Sequence, residues 1–416
     1  MLATIKRRIL GRGQWILILT GTTSLSGAAA LSGLIANIII ARTLPTAEVG
    51  AYALLLALVQ LIALLGALGQ PGLMKRIYSL QPVGHFDWLA DAREALFFSL
   101  PALALGILVS FLIYRLPGWY IVFVVSTTIL LVLSHSIAEL LNSQRHYVGA
   151  SLILHLPNGL MVFPALIALF IPAFARLEIM LVTQFTAVAV ALLLGISLLA
   201  VRSRRGHARI LPGERWQGLG FGILLVTHLI PFQGLIPIAS RMVPQDALAA
   251  YAALGVLARP FFLLQGAILQ ILSVELVRGK WRPNWRIEAS LWGAATILFG
   301  GAVLVLPEFA GRIYMHRYDE FAGLIVPLCL AGALLIPEIL PRSYIAGRAN
   351  LKLLNHYIAA QVFIALFGVG LAIVWGLQTG VYGIAWAGAG MIGLRNLAAY
   401  GYYAFARLTG QEVTSV

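Results

Sequence analysis

Two arginines, Arg259 and Arg395, lie near the middle of long apolar stretches of the sequence. A cation at the centre of a hydrocarbon layer costs roughly 2.5–3.5 kcal/mol on insertion scales, so each guanidinium needs either water or a carboxylate partner. A guanidinium that faces water inside such a layer can hold an anion through charge-assisted hydrogen bonds. The two residues are therefore candidates for binding an anionic ligand.

The helical face around Arg259 favours a watery environment. Small and polar residues recur on that face at helical spacing, namely Gly255, Gly266 and Gln270. They indicate a cavity, with Gln270 as a further binding residue. The alternative is that Arg259 pairs with a carboxylate and only joins two helices. For Arg395 the alternative is a shifted helix that lets the side chain reach the membrane surface.

Titratable side chains form a second set of candidates. Glu139 and Glu338 lie near the ends of two apolar stretches, with His135 one turn before Glu139 and Arg342 one turn after Glu338. One interpretation is a pair of helix-end contacts that close the cytoplasmic side. The other is a gate that takes up protons. His228 is a further proton-coupling candidate, or simply a histidine with a hydrogen bond inside a helix bundle.

Patterns that carry enzymatic chemistry are absent from the sequence. There is no zinc-ligand helix motif, phosphate-binding Gly-rich loop, nucleophile elbow or Cys-x-x-Cys pair, and Cys329 is the single cysteine. We therefore expect no catalytic residues, no metal site and no cofactor. The sequence predicts a protein that is not an enzyme.

The composition places the chain in a membrane. Hydrophobic residues make up 60% and charged residues only 11%, whereas soluble domains are about one quarter charged. The net charge of +14 would suggest nucleic acid in a soluble protein. Here the cations cluster in short loops between apolar runs, so membrane topology explains them and no nucleic-acid partner is expected.

The apolar runs are long enough for helices that cross a bilayer, which need about 20 residues. Strands of a membrane barrel would be shorter and strictly alternating. The sequence therefore predicts an all-α polytopic membrane protein with about 12 transmembrane helices. The runs cover residues 15–40, 49–69, 95–114, 118–141, 151–172, 178–200, 217–239, 248–272, 289–306, 321–340, 353–376 and 381–404.

The distribution of Lys and Arg predicts the orientation. If the N-terminus is cytoplasmic, the inner segments hold 21 of the 29 basic residues and the outer segments hold 6. This asymmetry predicts a multi-pass protein with both termini in the cytoplasm.

The sequence also repeats itself. Identical residues recur at an offset of 199 in segments 42–53 and 241–252, and the same offset relates Glu139 to Glu338. We therefore expect two six-helix lobes, residues 1–200 and 217–416, related by pseudo-two-fold symmetry and joined by a cytoplasmic linker, 201–216. Two parallel repeats of this kind occur in several transporters. Helix breakers in the first and seventh runs indicate either kinks or close packing through small residues.

The repeated segment carries a resemblance to a known family. Residues 41–52 (ARTLPTAEVGAY) and 68–76 (LGQPGLMKR) resemble the opening of Wzx-type polysaccharide flippases, which export O-antigen and exopolysaccharide. These belong to the MOP superfamily with the MATE drug exporters and the lipid II flippase. Two features depart from the pattern. The second copy has Ala249 where Gly is expected, and Gln60 stands at the position equivalent to Arg259.

The resemblance implies a substrate and a place. It implies a flippase that moves undecaprenyl-pyrophosphate-linked oligosaccharide across the bacterial inner membrane, from the cytoplasmic to the periplasmic leaflet. The pyrophosphate would lie in a cationic central cavity beside Arg259 and Arg395, and the sugars beside Trp and Tyr. Arg42 and Arg241 would help release or closure at the outer side, or only anchor the interface. Further implied partners are membrane lipids, a coupling ion (H⁺ or Na⁺) and glycan polymerase machinery.

Three alternatives remain open at the level of sequence. A cation-coupled drug exporter of the MATE type would need buried acids, whereas the mid-span charges here are basic. A membrane enzyme such as a glycan polymerase would need a large outer loop, and the longest outer loop is about 307–320. A scaffold without transport activity would not need arginines within the membrane.

Overall fold

The computed structural model of the protein describes residues 21, 24–25, 27–29, 31–67, 69–78, 85–202, 204–205, 212–277 and 284–409. Almost all of them are helical. The helices are α1 (Gly27–Thr43), α2 (Thr46–Gly66), α3 (Gln70–Tyr78), α4 (Trp88–Leu108), α5 (Gly118–Ser143), α6 (Tyr147–Leu160), α7 (Val162–Phe170), α8 (Leu177–Arg202), α9 (Pro212–Leu229), α10 (Leu235–Met242), α11 (Gln245–Leu257), α12 (Arg259–Val277), α13 (Trp285–Ile313), α14 (Ile325–Arg348), α15 (Leu351–Thr379) and α16 (Val381–Thr409). Two two-residue strands, His85–Phe86 and Arg204–Arg205, pair in parallel.

The membrane-spanning character predicted from the apolar runs is confirmed. In the described residues nine helical segments are long and apolar enough to cross a bilayer, and the bent pair α11–α12 makes up to ten. The apolar side chains of α13 show where the lipid lies, because Ile297 is 75% exposed and Leu304 82% exposed. Such a surface cannot face water without aggregation, so it faces acyl chains.

Each half of the chain packs around one long helix. We refer to residues 1–200 as the first half and to residues 217–416 as the second half. In the first half α2, α3, α4, α6 and α8 surround α5, and in the second half α12, α13 and α16 surround α14. We propose that these two groups are the expected lobes. Within the linker, residues 201–216, positions 203 and 206–211 lie outside the described residues.

The repeated segments meet at the interface between the halves. Helices α2 and α11, which begin just after the repeated Pro45 and Pro244, pack against each other. A Cβ atom on Gly50 would lie 3.3 Å from Leu248 Cδ2, so the absence of a side chain allows the close crossing. Ala249, the repeat equivalent of Gly50, is fully buried in the same apolar core.

Prolines within the second half free backbone carbonyls that α16 then uses. Pro231 has no N–H to donate to the carbonyl of Thr227 four residues earlier, and the chain forms a π-helical turn at Ile230–Gly234. The Thr227 carbonyl instead accepts a hydrogen bond from Arg395. The kink expected from Pro231 is therefore a binding site for an arginine side chain. Likewise, Pro341 has no N–H to donate to the carbonyl of Pro337 four residues earlier. That carbonyl accepts a hydrogen bond from the Tyr400 hydroxyl at 3.1 Å.

Candidate functional site

Two adjoining cavities lie between the halves of the molecule. The central cavity has a volume of about 300 Å³ and the side pocket about 280 Å³. Residues of both halves line the central cavity. Among the described residues, the second half contributes Leu229 and Arg259 alone to the side pocket. The polar side chains shared by both cavities are Asn37, Tyr52, Gln60, Asn158 and Arg259.

A break in the helix positions Arg259 beside both cavities. Helix α11 ends at Leu257, α12 begins at Arg259, and the two axes differ by 48°. Pro260 follows directly, and a proline is compatible with the first turn of a helix. The sequence predicted one helical run over 248–272, and the break divides that run into two helices. At this break Arg259 lines the central cavity together with Tyr52 and Gln60 of the first half.

The charge of Arg259 is not neutralised by the described residues. None of them places a carboxylate or a hydrogen-bond acceptor within bonding distance of its guanidinium. The phenols of Tyr52 and Tyr314 lie near it. Burial raises the pKa of Tyr314 above its ordinary value, so that phenol stays neutral. The interpretation of Arg259 as half of a structural ion pair is therefore not supported in the described part of the chain.

Residues that the repeat makes equivalent in the two halves line the central cavity together. Tyr52 and Tyr251, which differ by the repeat offset, both line it, and so do Gln60 and Arg259. The positions of these lining residues are thus equivalent in the two halves, whereas the positive charge at the second pair comes from Arg259 of the second half. The side chain of Asn37 donates to the Gly33 carbonyl at 2.6 Å, which leaves its amide oxygen available.

Tyrosine and phenylalanine supply the aromatic surface of the central cavity. Its aromatic lining residues are Tyr52, Tyr251, Phe232 and Phe262. No Trp lines either cavity in the part of the chain that the structure describes. The expectation that Trp side chains face a substrate there is wrong for these two cavities.

Arg395 lies in a different environment from Arg259. Its side chain is fully buried and lines neither cavity. It donates to Gln361 Oε1 at 2.8 Å, to Glu338 Oε1 at 3.3 Å and to the Thr227 carbonyl. The sequence placed Arg395 beside Arg259 in the cavity, and the structure corrects this, because second-half groups hold its guanidinium.

Glu338 and His228 join the same buried network. His228 Nδ1 lies 3.2 Å from Arg395 Nη2 and 3.9 Å from Glu338 Oε2. Glu338 therefore contacts Arg395 and not Arg342, the partner expected one turn away. Arg342 is 7% exposed, and its Nη1 has no hydrogen bond to any residue that the structure describes. Three predicted residues thus come together, although away from Arg259.

The titratable residues predicted in the first half, His135 and Glu139, are arranged differently from those of the buried network. His135 lines the side pocket. Glu139, one turn further along α5, accepts a hydrogen bond from Asn142 Nδ2 at 3.2 Å. Glu139 and Glu338 therefore occupy equivalent positions in the repeat but unequal surroundings. Their proton-coupling role stays a prediction.

Arg42 and Arg241 lie at the end of the bundle that carries residues 41–46, 113–117, 241–245 and 313–321. The basic-residue count predicts that this end faces away from the cytoplasm, and we call it the outer end. Each arginine contacts the opposite half. Arg42 Nη2 lies 3.3 Å from Met315 Sδ, while Arg241 donates to the Ile113 carbonyl and lies over the Tyr114 ring. Neither lines the cavities.

A third arginine at the outer end was missed by the sequence analysis. Arg317 donates to the carbonyls of Ala41 at 2.7 Å and Leu44 at 2.9 Å, and to the hydroxyl of Thr46. It follows Met315 and His316, whose backbone φ angles are positive. The sequence signal for this role was the position of Arg317 in an outer loop, at the same end of the bundle as the repeated segment.

Other polar residues of the cavities were also missed. Asn158, Gln184 and Thr127 line the side pocket, and Gln233 lines the central cavity. They lie in apolar runs without a repeated pattern, so only their polarity could have marked them. The remaining predicted binding residue, Gln270, belongs to α12, but its side chain lies outside the described residues.

Two solved structures with the same fold are distantly related in sequence. A MATE structure in complex with MaL6 is 14% identical, covers 95% of each chain and has a TM-score of 0.63. The lipid II flippase MurJ, in an inward closed conformation, is 13% identical, covers 94% of this chain and 87% of its own, and has a TM-score of 0.66.

A third solved structure with this fold is also distantly related in sequence. It is a MOP superfamily transporter from Pyrococcus furiosus whose binding pocket is described as reversed in polarity, with 16% identity and a TM-score of 0.57 over 94% of this chain and 95% of that one. No protein-family model and no curated protein matches the chain. The protein is thus a multi-pass membrane protein with the all-helical fold of the MATE transporters and the MurJ flippase.

Proposed function

We propose that the protein is a flippase for a lipid-linked oligosaccharide whose lipid anchor ends in pyrophosphate. Its substrate would be undecaprenyl-pyrophosphate-linked glycan, moved from the cytoplasmic to the periplasmic leaflet of a bacterial inner membrane. The observation that carries this proposal is the unneutralised guanidinium of Arg259 in a polar cavity between the halves. An arginine fork suits phosphate oxygens, which accept its N–H groups in pairs.

The surroundings of Arg259 favour an anion over a cation. No Asp or Glu lines either cavity in the described residues. A cation would therefore meet repulsion from Arg259 with no carboxylate to offset it. The same fold serves MATE transporters, so a cation-coupled exporter of small molecules is the second candidate, and the charge of the cavity argues against it.

Transport would require the halves to separate at alternate ends. In this structure the outer end is held by contacts between the halves: Arg317 with Ala41, Leu44 and Thr46, and Tyr114 with the Pro237 carbonyl at 3.1 Å. Release of substrate on the outer side needs these bonds to break. Alternating access by rocking of two repeats is the expected motion, and the prenyl tail would remain in lipid while the head group crosses.

A flipping assay tests the proposal. Vesicles containing the purified protein would be loaded with a fluorescent polyprenyl pyrophosphate that carries a sugar, and its exposure to a membrane-impermeant quencher would be followed. We expect transport by the wild type and a loss of at least tenfold in R259A. The exposed Arg93 supplies the control R93A, which should transport normally. Equal transport by R259A and the wild type would contradict the proposal.

A further inference from the structure

The side pocket is lined by neutral hydrogen-bonding groups that have no partners. Gln60, Thr127, Asn158 and Gln184 all line it, and none of these side chains makes a hydrogen bond within the described structure. The hydroxyl of Thr127 is the clearest case, because the residue is 1% exposed and its Oγ1 atom is buried without a partner. Buried polar groups are normally satisfied, so an unsatisfied one needs an explanation.

The packing holds these groups in place around the pocket. Gly33 of α1 allows Asn158 to approach, since a Cβ atom on Gly33 would lie 3.2 Å from Asn158 Cβ. The neighbouring residues Thr127 and Thr128 differ in their hydrogen bonds. The Thr128 hydroxyl donates to the Val59 carbonyl at 3.5 Å, whereas Thr127 lines the pocket and its hydroxyl has no partner among the described residues. The polar wall is therefore built on four helices, α2, α5, α6 and α8.

The chemistry of the wall identifies the class of ligand. Apart from Arg259 at the boundary with the central cavity, the lining residues include no Asp, Glu, Lys or other Arg in the described chain. Amides and hydroxyls without charge suit a neutral ligand with many hydroxyl groups. The volume of about 280 Å³ lies at the low end for small-molecule pockets, which limits the occupant to a small part of an oligosaccharide.

We propose that the side pocket binds the sugar unit attached directly to the pyrophosphate, and that Arg259 holds the phosphate where the two cavities meet. This inference rests on the proposed function and adds to it a subsite for sugar in the first half. The substrate would then be recognised from two directions. The second half supplies charge for the phosphate, and the first half supplies hydrogen bonds for the sugar.

The test compares two lipids and a matched pair of threonine variants. Binding of polyprenyl pyrophosphate with one hexosamine and without sugar would be measured on the purified full-length protein by native mass spectrometry. We expect T127V and Q184L each to weaken binding of the sugar-bearing lipid about three- to tenfold and to leave the sugar-free lipid unchanged. T128V, whose hydroxyl serves the backbone, should leave the ratio of the two affinities unchanged.

Each outcome of this test is informative. T127V removes an unpartnered buried hydroxyl without changing shape, so its thermal stability without ligand should equal or exceed that of the wild type. Equal effects of T127V and Q184L on both lipids, or no effect on either, would overturn the sugar subsite alone. If the wild type binds neither lipid, the proposed function fails and the subsite fails with it.

Discussion

Gln60 and Arg259 occupy equivalent positions in the two halves and line the same two cavities. One position is neutral and the other carries a full charge, so the duplicated frame encloses an asymmetric site. An anion bound beside Arg259 would therefore be held by one half, while the other half contacts the rest of the molecule.

Removal of Arg317 should loosen the outer end. The variant R317A loses the bonds to Ala41, Leu44 and Thr46, which join the halves. Spin labels at the exposed positions Ala47 and Glu320 would report the separation, and R317A should shift the distance distribution to longer values. The control is R312A, because Arg312 pairs with Glu308 on its own helix and both side chains are about three-quarters exposed. An unchanged distribution in R317A would show that other contacts hold this end.

Breaking the buried network of the second half should destabilise the protein. R395A would leave the carboxylate of Glu338 fully buried without its arginine, at an expected cost of about 3–5 kcal/mol. Thermal unfolding in detergent is the measurement, and E338Q in the R395A background should recover part of the loss. R407A is the control, since the pair of Arg407 and Glu288 at 3.9 Å is partly exposed and should contribute at most about 1 kcal/mol. Equal losses of thermal stability in R395A and R407A would contradict a stabilising role for the buried pair of Arg395 and Glu338.

A larger side chain at Gly50 should disturb the crossing of the repeated helices. A Cβ atom there lies 3.3 Å from Leu248 Cδ2 and 3.7 Å from the Gln245 carbonyl oxygen. G50A should be tolerated at a cost near 1 kcal/mol, because Leu248 can shift slightly, whereas G50V should cost about 1–3 kcal/mol through overpacking. The unfolding temperatures of the two variants would check that G50V is less stable than G50A. A G50V protein as stable as G50A would mean that α2 and α11 pack less tightly than the distances at Gly50 indicate.

Much of the fold was predictable because membrane helices leave a strong signal in sequence. Runs of about 20 apolar residues predicted the all-helical fold and the order of its membrane-spanning helices along the chain. The pairing of two lobes through the repeat at offset 199 stays a proposal. The break before Arg259 was not predicted, since the apolar run continues through it and only Pro260 marked it. In the first half the corresponding helix α2 continues past Gln60 to Gly66.

The site was predictable only in part. The mid-membrane position of Arg259 marked it as a cavity residue, because a charge there needs water or a partner. Arg395 has a similar mid-membrane position and was predicted to line the cavity as well. Its hydrogen-bond partners Thr227 and Gln361 lie 168 and 34 positions away in the sequence, so its buried pairing could not be predicted. Helical periodicity cannot show contacts between helices that are distant in the chain. The carbonyl of Thr227 is available only because Pro231 lacks an N–H, a consequence that requires the structure.

The central claim is that Arg259 holds the phosphate of an anionic lipid. The most direct measurement is the affinity of sugar-free polyprenyl pyrophosphate for the wild type and for R259Q, which gives both halves the same neutral residue at the equivalent position. Loss of charge-assisted hydrogen bonds of about 1.5–3 kcal/mol predicts an affinity roughly 10- to 100-fold weaker in R259Q. An affinity equal to that of the wild type, in a folded R259Q protein, would contradict the account.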